Sequence, residues 1–342
     1  MTDIAPAGLP AGVTAWGADR AGRMRLVEID DLHVSFPQEG GLVQAVRGAS
    51  LYVDEGESLG IVGESGSGKS VTCMAILRLL REPPARIRAG RLSLAGTDLV
   101  GADRRTLRRL RGQVAAMVFQ DPMTAFDPVF TVGHQIAETI RAHRPTTRAE
   151  ARAEAVALLA RVEIRNPEAV LGSYPHQLSG GMLQRAMIAM ALSCRPRVLI
   201  ADEPTTALDV TVQAQILQLV KALQAELGMA LVMVTHDLGV VAETCDRVAV
   251  MYGGRVVETA PVAELFDRPR HPYTRALLAS MPGQAPGRRR LTEIPGASPD
   301  PADPPSGCPF HPRCALADAA CAAAMPPSVA VGASVAACWR PA

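Results

Sequence analysis

An α/β fold, a parallel sheet covered by helices, is the expectation for this chain, and three observations lead to it. Short, continuous apolar runs such as 197–201 and 230–235 read as strands buried on both faces. Strand, polar or glycine-bearing loop and helix-period stretch recur along the chain, which is how parallel sheets are assembled. A helical, partly alanine-rich block from 131 to about 192 separates two strand-rich portions, so it reads as an inserted subdomain.

The elements follow in order. Residues 26–62 alternate polar and apolar positions in short runs and read as strands ending at a glycine-rich loop. From 69 to 80, Met74, Leu77 and Leu80 keep helical spacing. Residues 91–120 return to strand character and end in VAAMVFQ, while the arginines of 104–111 read as the solvated face of a helix. After the helical block come the strand 197–201, a helix over 212–227, the strand 230–235 and a hairpin turning at Gly253-Gly254. Proline, glycine and alanine dominate 282–305, a linker-like composition that excludes one continuous helix or a central strand.

Bulk properties set limits on function. The chain has 342 residues, 48% hydrophobic and 20% charged, with ample length for a large core. A formal net charge of +1 supplies no field to recruit nucleic acid. No uncharged apolar run approaches the roughly 18–20 residues that cross a bilayer. Residues 1–24 lack the basic start and apolar core of a signal peptide and are expected to form a disordered tail.

The segment GESGSGKS at 63–70, after a strand and opening a helix, is the P-loop pattern. Gly63, Gly66 and Gly68 let the backbone of Gly63, Glu64, Ser65, Gly66, Ser67 and Gly68 wrap phosphates, so that N–H groups point inward. Lys69 is expected to neutralise the β and γ phosphates of ATP and Ser70 to ligate Mg2+. Asp202, at the end of an apolar strand, brings a second oxygen ligand towards the magnesium. Glu203 beside it can orient a water and accept its proton.

With LSGGMLQR at 178–185 and VLIADEP at 198–204, the chain resembles the ATP-binding cassette (ABC) superfamily over about residues 26–265. The order matches: P-loop, a glutamine after a strand (Gln120), LSGG, Asp-Glu, then a histidine after a strand (His236). The resemblance implies a RecA-like P-loop ABC ATPase core with a β subdomain and an inserted helical signature subdomain. It implies that Ser179, Gly180 and Gly181 approach the γ-phosphate held by a partner's P-loop. Gln120 would touch Mg2+ and the attacking water, and His236 the γ-phosphate. Asp209 would belong to the loop at the dimer interface, and Phe36 would stack on adenine. The working unit would be a pair of such subunits.

Within that superfamily, MVFQDPMTAFDPVFTVGHQI (117–136), RHPYTRALLASMP (270–282) and GCPFHPRC (307–314) resemble the importer ATPases for dipeptides, oligopeptides and nickel. This implies a nucleotide-binding domain over 25–268, with its helical subdomain at about 121–192, and a cysteine-rich C-terminal extension over 269–342. It also implies a homologous second ATPase subunit, two transmembrane permeases and an extracytoplasmic substrate-binding protein. The chain would then act at the cytoplasmic face of the membrane. Of seven cysteines, Cys308, Cys314, Cys321 and Cys338 crowd the last 35 residues as C-x5-C-x6-C-x16-C. Spacing alone permits structural zinc or an iron–sulfur cluster, with His311 able to replace a thiolate; the resemblance implies a [4Fe–4S] cluster. Two other classes compete. A soluble ABC ATPase acting on DNA or ribosomes usually has coiled coils or two cassettes, and an exporter ATPase would lack the C-terminal extension.

Overall fold

The computed structural model describes residues 24–206, 208–281 and 293–341. The expected N-terminal tail lies almost wholly outside them, as does the first part of the proline-rich stretch.

Thirteen strands form two sheets among the described residues: β1 Arg25–Gln38, β2 Gly41–Asp54, β3 Ser58–Val62, β4 Arg86–Arg88, β5 Arg91–Leu94, β6 Thr97–Asp98, β7 Ala115–Val118, β8 Val198–Asp202, β9 Ala230–Thr235, β10 Arg247–Tyr252, β11 Arg255–Pro261, β12 Ser328–Val331 and β13 Ser334–Ala337. The smaller sheet is antiparallel in the order β2-β1-β5-β6, with β4 also paired to β1. The larger runs β12-β13-β11-β10-β3-β9-β8-β7, and its stretch from β10 to β7 is parallel.

Burial on both faces explains the apolar runs. In β9, Ala230, Val232 and Val234 join a core with the smaller sheet and the Lys69–Ile76 helix, where Ile29, Leu51 and Ile76 are buried. Leu231 and Met233 point to the other face and pack with Ile136, Leu159 and Leu183 of the helical block. That block comprises helices Val132–His143, Arg148–Arg161, Pro167–Gly172 and Gly180–Leu192. Thr147 and Glu150 form a reciprocal capping box at one of its starts. Gly133 is where two of these helices meet, since a Cβ there would lie 2.2 Å from Leu171 Cδ2.

Several boundaries differ from the sequence reading. The first helix ends at Ile76 rather than 80, because Arg78 turns left-handed at φ 51°. Between β6 and β7 lies the helix Arg104–Gln113, capped by Asp103. Its Arg111 is not a solvated side chain: the guanidinium donates to the carbonyls of Leu77 and Arg78. The strands 197–201 and 230–235 and the Gly253-Gly254 hairpin stand within a residue of expectation.

The chain after 269 is folded onto the larger sheet. Helix Pro272–Ala279 follows β11, and β13 pairs with β11 through Glu258 and Thr259. Tyr252, Tyr273 and Phe310 meet ring to ring in a third buried cluster, with centroids 4.5–5.4 Å apart.

Candidate nucleotide site

Four adjacent parallel strands deliver four motifs to one sheet end. The P-loop follows β3, Gln120 follows β7, Asp202 and Glu203 end β8, and His236 follows β9. Ligands of such sheets bind where parallel strands end at their carboxyl side. A cavity of about 710 Å3 opens there, lined by Gly66–Ser70, Gln120, Glu203 and His236 among others.

The loop is shaped for close backbone approach. Gly63 is compulsory, since a Cβ would lie 2.1 Å from Met251 O. Gly68 caps the Lys69–Ile76 helix in the left-handed region at φ 97°. Lys69 Nζ donates to Gly63 O at 2.8 Å and Glu64 O at 2.9 Å. Burial lowers its ammonium from the ordinary value, opposed by the nearby Glu203 and Asp202. The buried Ser67 hydroxyl makes no hydrogen bond within the protein, which leaves it free for a phosphate oxygen.

Ser70 Oγ donates to Asp202 Oδ1 at 2.9 Å. This hydroxyl–carboxylate pair is a hard oxygen donor set beside a phosphate cradle, and it fits Mg2+. Burial raises the Asp202 carboxyl above its usual value, with Ser70 pulling the other way.

Three side chains converge on Glu203. Its backbone adopts φ 45°, uncommon outside glycine, and is fixed by an N–H bond to Val234 O at 2.9 Å. Its Oε2 accepts from Thr206 Oγ1 at 2.8 Å and Gln120 Nε2 at 3.3 Å, and His236 Nδ1 lies at 3.4 Å. Thr206 was not singled out from sequence. Its signal was a hydroxyl three residues past Glu203, close enough in sequence to bond back to that carboxylate.

Other expected residues lie elsewhere. Ser179 caps the Gly180–Leu192 helix through Met182 N, and Gly181 faces Val212, whose Cγ1 a Cβ would meet at 2.9 Å. Ser179 and Gly181 line a different cavity, of about 830 Å3, together with Arg185. Gly180 is exposed at the same helix start. Asp209 is the exposed N-cap of the Val210–Leu227 helix. Phe36 is half-buried against the core below the smaller sheet and is not among the residues bordering the P-loop cavity. Ala45 and Pro301, the latter from far along the chain, do border that cavity.

Cys308, Cys314, Cys321 and Cys338 all border one small cavity of about 20 Å3 beside His271, His311 and Trp339. Burial pushes the Cys308 thiol up to about 11, with the other three sulfurs raising it further. Burial also raises Cys314 and Cys338. Among the described residues, no three His, Cys, Asp or Glu side chains stand close enough to share one metal ion. Four thiols bordering one small pocket are a soft donor set of the type that holds zinc or an iron–sulfur cluster.

Comparison with known proteins agrees with this geometry. The family model described as ABC transporter matches residues 46–206, and that for the oligopeptide/dipeptide transporter C-terminal region matches 257–321. A probable peptide ABC transporter ATP-binding protein of Sinorhizobium fredii is 52% identical over 92% of this chain and 95% of its own length. The oligopeptide transport ATP-binding protein OppD of Bacillus subtilis is 51% identical, covering 86% of this chain and 82% of that one. The dipeptide transport ATP-binding protein DppD of Escherichia coli is 49% identical, covering 89% and 92%. Among solved structures, a dimeric ATP-binding cassette in a post-hydrolysis state with ADP and Pi superposes with a TM-score of 0.62 at 29% identity, covering 69% of this chain and 99% of that one. Four motifs at one sheet end and half-identity along nine-tenths of the chain lead to one conclusion: this protein belongs to the ABC transporter ATP-binding proteins, in their peptide-import branch.

Proposed function

We propose that this chain hydrolyses ATP to drive uptake of dipeptides or oligopeptides through separate permeases. The observation that carries the chemistry is the fixed Glu203 carboxylate, held by Thr206, Gln120 and His236 at the mouth of the P-loop cavity. The N–H groups of residues 63–70 and the Lys69 ammonium grip the β and γ phosphates. Glu203 orients a water in line with the γ-phosphorus and takes its proton as the bond to the ADP oxygen breaks. His236 and Gln120 hold Glu203, His236 also reaching the γ-phosphate and Gln120 the attacking water. Ser70 and Asp202 would hold Mg2+, with Gln120 as a further ligand, and the ion would supply charge to offset that building on the phosphate oxygens.

Ser179, Gly180 and Gly181 serve the ATP of a second cassette, a homologue of this chain, with Asp209 crossing the interface. Two cavities on one protomer, one with the P-loop and one with the signature serine, support that pairing. Phe36 remains the aromatic candidate for the adenine ring, although Ala45 and Pro301 border the cavity itself. Among the described residues no helix is long and apolar enough to cross a membrane. The chain works from the cytoplasmic face, beneath two permeases fed by a substrate-binding protein. Val129 and Phe130, 68% and 45% exposed just after Gln120, provide an apolar seat for the permeases' cytoplasmic helices. The C-terminal extension, 269–342, holds a [4Fe–4S] cluster on Cys308, Cys314, Cys321 and Cys338, its part structural. The alternative cargo is nickel or another small solute of the same branch.

The test is the assembly purified with its permeases and reconstituted with binding protein. Peptide-loaded binding protein should stimulate ATP hydrolysis. Glu203→Gln should lower turnover about 100–10,000-fold while trapping an ATP-bound dimer. Undiminished hydrolysis in that variant, or stable association with ribosomes or DNA instead of permeases, would remove the proposal.

A further inference from the structure

Glu64, the second residue of the phosphate loop, is held at both its ends by the chain beyond 269. Its backbone N–H donates to Tyr273 Oη at 2.9 Å. Its carboxylate accepts from Arg313 Nη1 at 2.8 Å and from the Ser298 hydroxyl. The Arg313 side chain is only 7% exposed. Its remaining donors fasten the strand of chain before it: Nε to Pro295 O at 2.8 Å, and Nη2 to Ile294 O at 3.1 Å. Nη1 also reaches Tyr252 Oη at 3.1 Å, in the ring cluster that carries Tyr273.

The same segment then reaches the site itself. Pro301 O accepts from Gln44 N at 2.8 Å, and Pro301 borders the P-loop cavity beside Ala45. Glu64 also reaches the phosphate-gripping lysine, because its carbonyl accepts from Lys69 Nζ. The connection is therefore continuous: Arg313, Glu64, Lys69.

Glycine-rich loops lose the most freedom when they are ordered, so a loop fixed beforehand binds more tightly than one that must be fixed by its ligand. We propose that the C-terminal segment is a built wall of the nucleotide site, in which Arg313 is a positioning residue acting on the phosphate loop through Glu64. Its effect falls on nucleotide affinity and not on the chemical step, since among the described residues the side chains held against Glu203 are Thr206, Gln120 and His236. The inference rests on the ATPase reading above.

The test uses the full chain with its partner cassette, measuring fluorescent ATP-analogue affinity and the KM and kcat of hydrolysis. Arg313→Met should weaken nucleotide binding about tenfold, some 1.4 kcal/mol, and raise KM alike with kcat changed less than about twofold. Arg313→Lys, which keeps the charge but cannot also hold Ile294 and Pro295, should recover part of the loss. Glu64→Gln should weaken binding similarly, and the double variant should be no worse than either single one. Should Arg313→Met fold poorly, Glu64→Gln and the lysine variant still decide. Unchanged KM in both, a fall in kcat alone, or additive losses would overturn the proposal. A wild-type protein that binds no nucleotide would instead defeat the ATPase reading.

Discussion

Replacing Asp202 by asparagine should make the nucleotide-free protein more stable while abolishing its magnesium-dependent activity. Asp202 is 4% exposed at the end of β8, with one side-chain hydrogen bond, from Ser70. Its carboxyl is raised above 3.8, by burial first and by Glu203 beside it, against the opposing pull of Ser70 and Lys69. A folded value above the unfolded one means the protonated form suits the fold better. That contribution is complete below 3.8 and is lost as pH rises through the folded value, so at neutral pH the carboxylate is a standing cost. The amide keeps the shape and the acceptor for Ser70. Relief of a buried, under-paired charge is worth about 1–3 kcal/mol. For a chain of this size that raises Tm by about 1–4 °C. Thermal unfolding at pH 7.5 and pH 5, with and without Mg-ATP, measures it. The Tm gain should shrink toward acid, and the variant should lose the extra stabilisation that Mg-ATP gives the wild type. A lower Tm than wild type without nucleotide, or retained Mg-ATP hydrolysis, would refute the reasoning.

Two further outcomes test the fold and the cysteine site. Gly133→Ala places a Cβ 2.2 Å from Leu171 Cδ2 and 2.7 Å from Leu171 O. It should cost about 1–3 kcal/mol, read as a lower Tm, while ATP-analogue affinity stays at the wild-type value because the P-loop is untouched. Anaerobically purified wild-type protein should contain iron and absorb visible light, and Cys314→Ser should lose both; colourless, iron-free wild type would remove the cluster.

The legible parts of the molecule were those written locally. Ala230–Thr235 was plain because both its faces are buried, leaving Thr235 at its end as the one polar position in the run. That Lys69 and Ser70 open a helix after β3, and that Asp202 ends β8 with Glu203 next, was legible because a P-loop pattern and an apolar run fix those places locally. What escaped was set by distant partners. Arg111 looked solvated until Leu77 and Arg78 offered carbonyls, and the helix before them stopped early. β12 and β13 have little strand signal of their own, and form where β11 presents a free edge. Pro301 at the cavity and Arg313 on Glu64 follow from the way the C-terminal chain lies across the sheet, which no local pattern encodes.

Arg313 and Glu64 stand 249 positions apart. A ribosome therefore finishes the phosphate-gripping motif long before it makes the residue that fastens it. With Arg313 as the fastener, fragments from stalled translation carry the motif without its grip. The full affinity for ATP then comes only after synthesis has passed position 313.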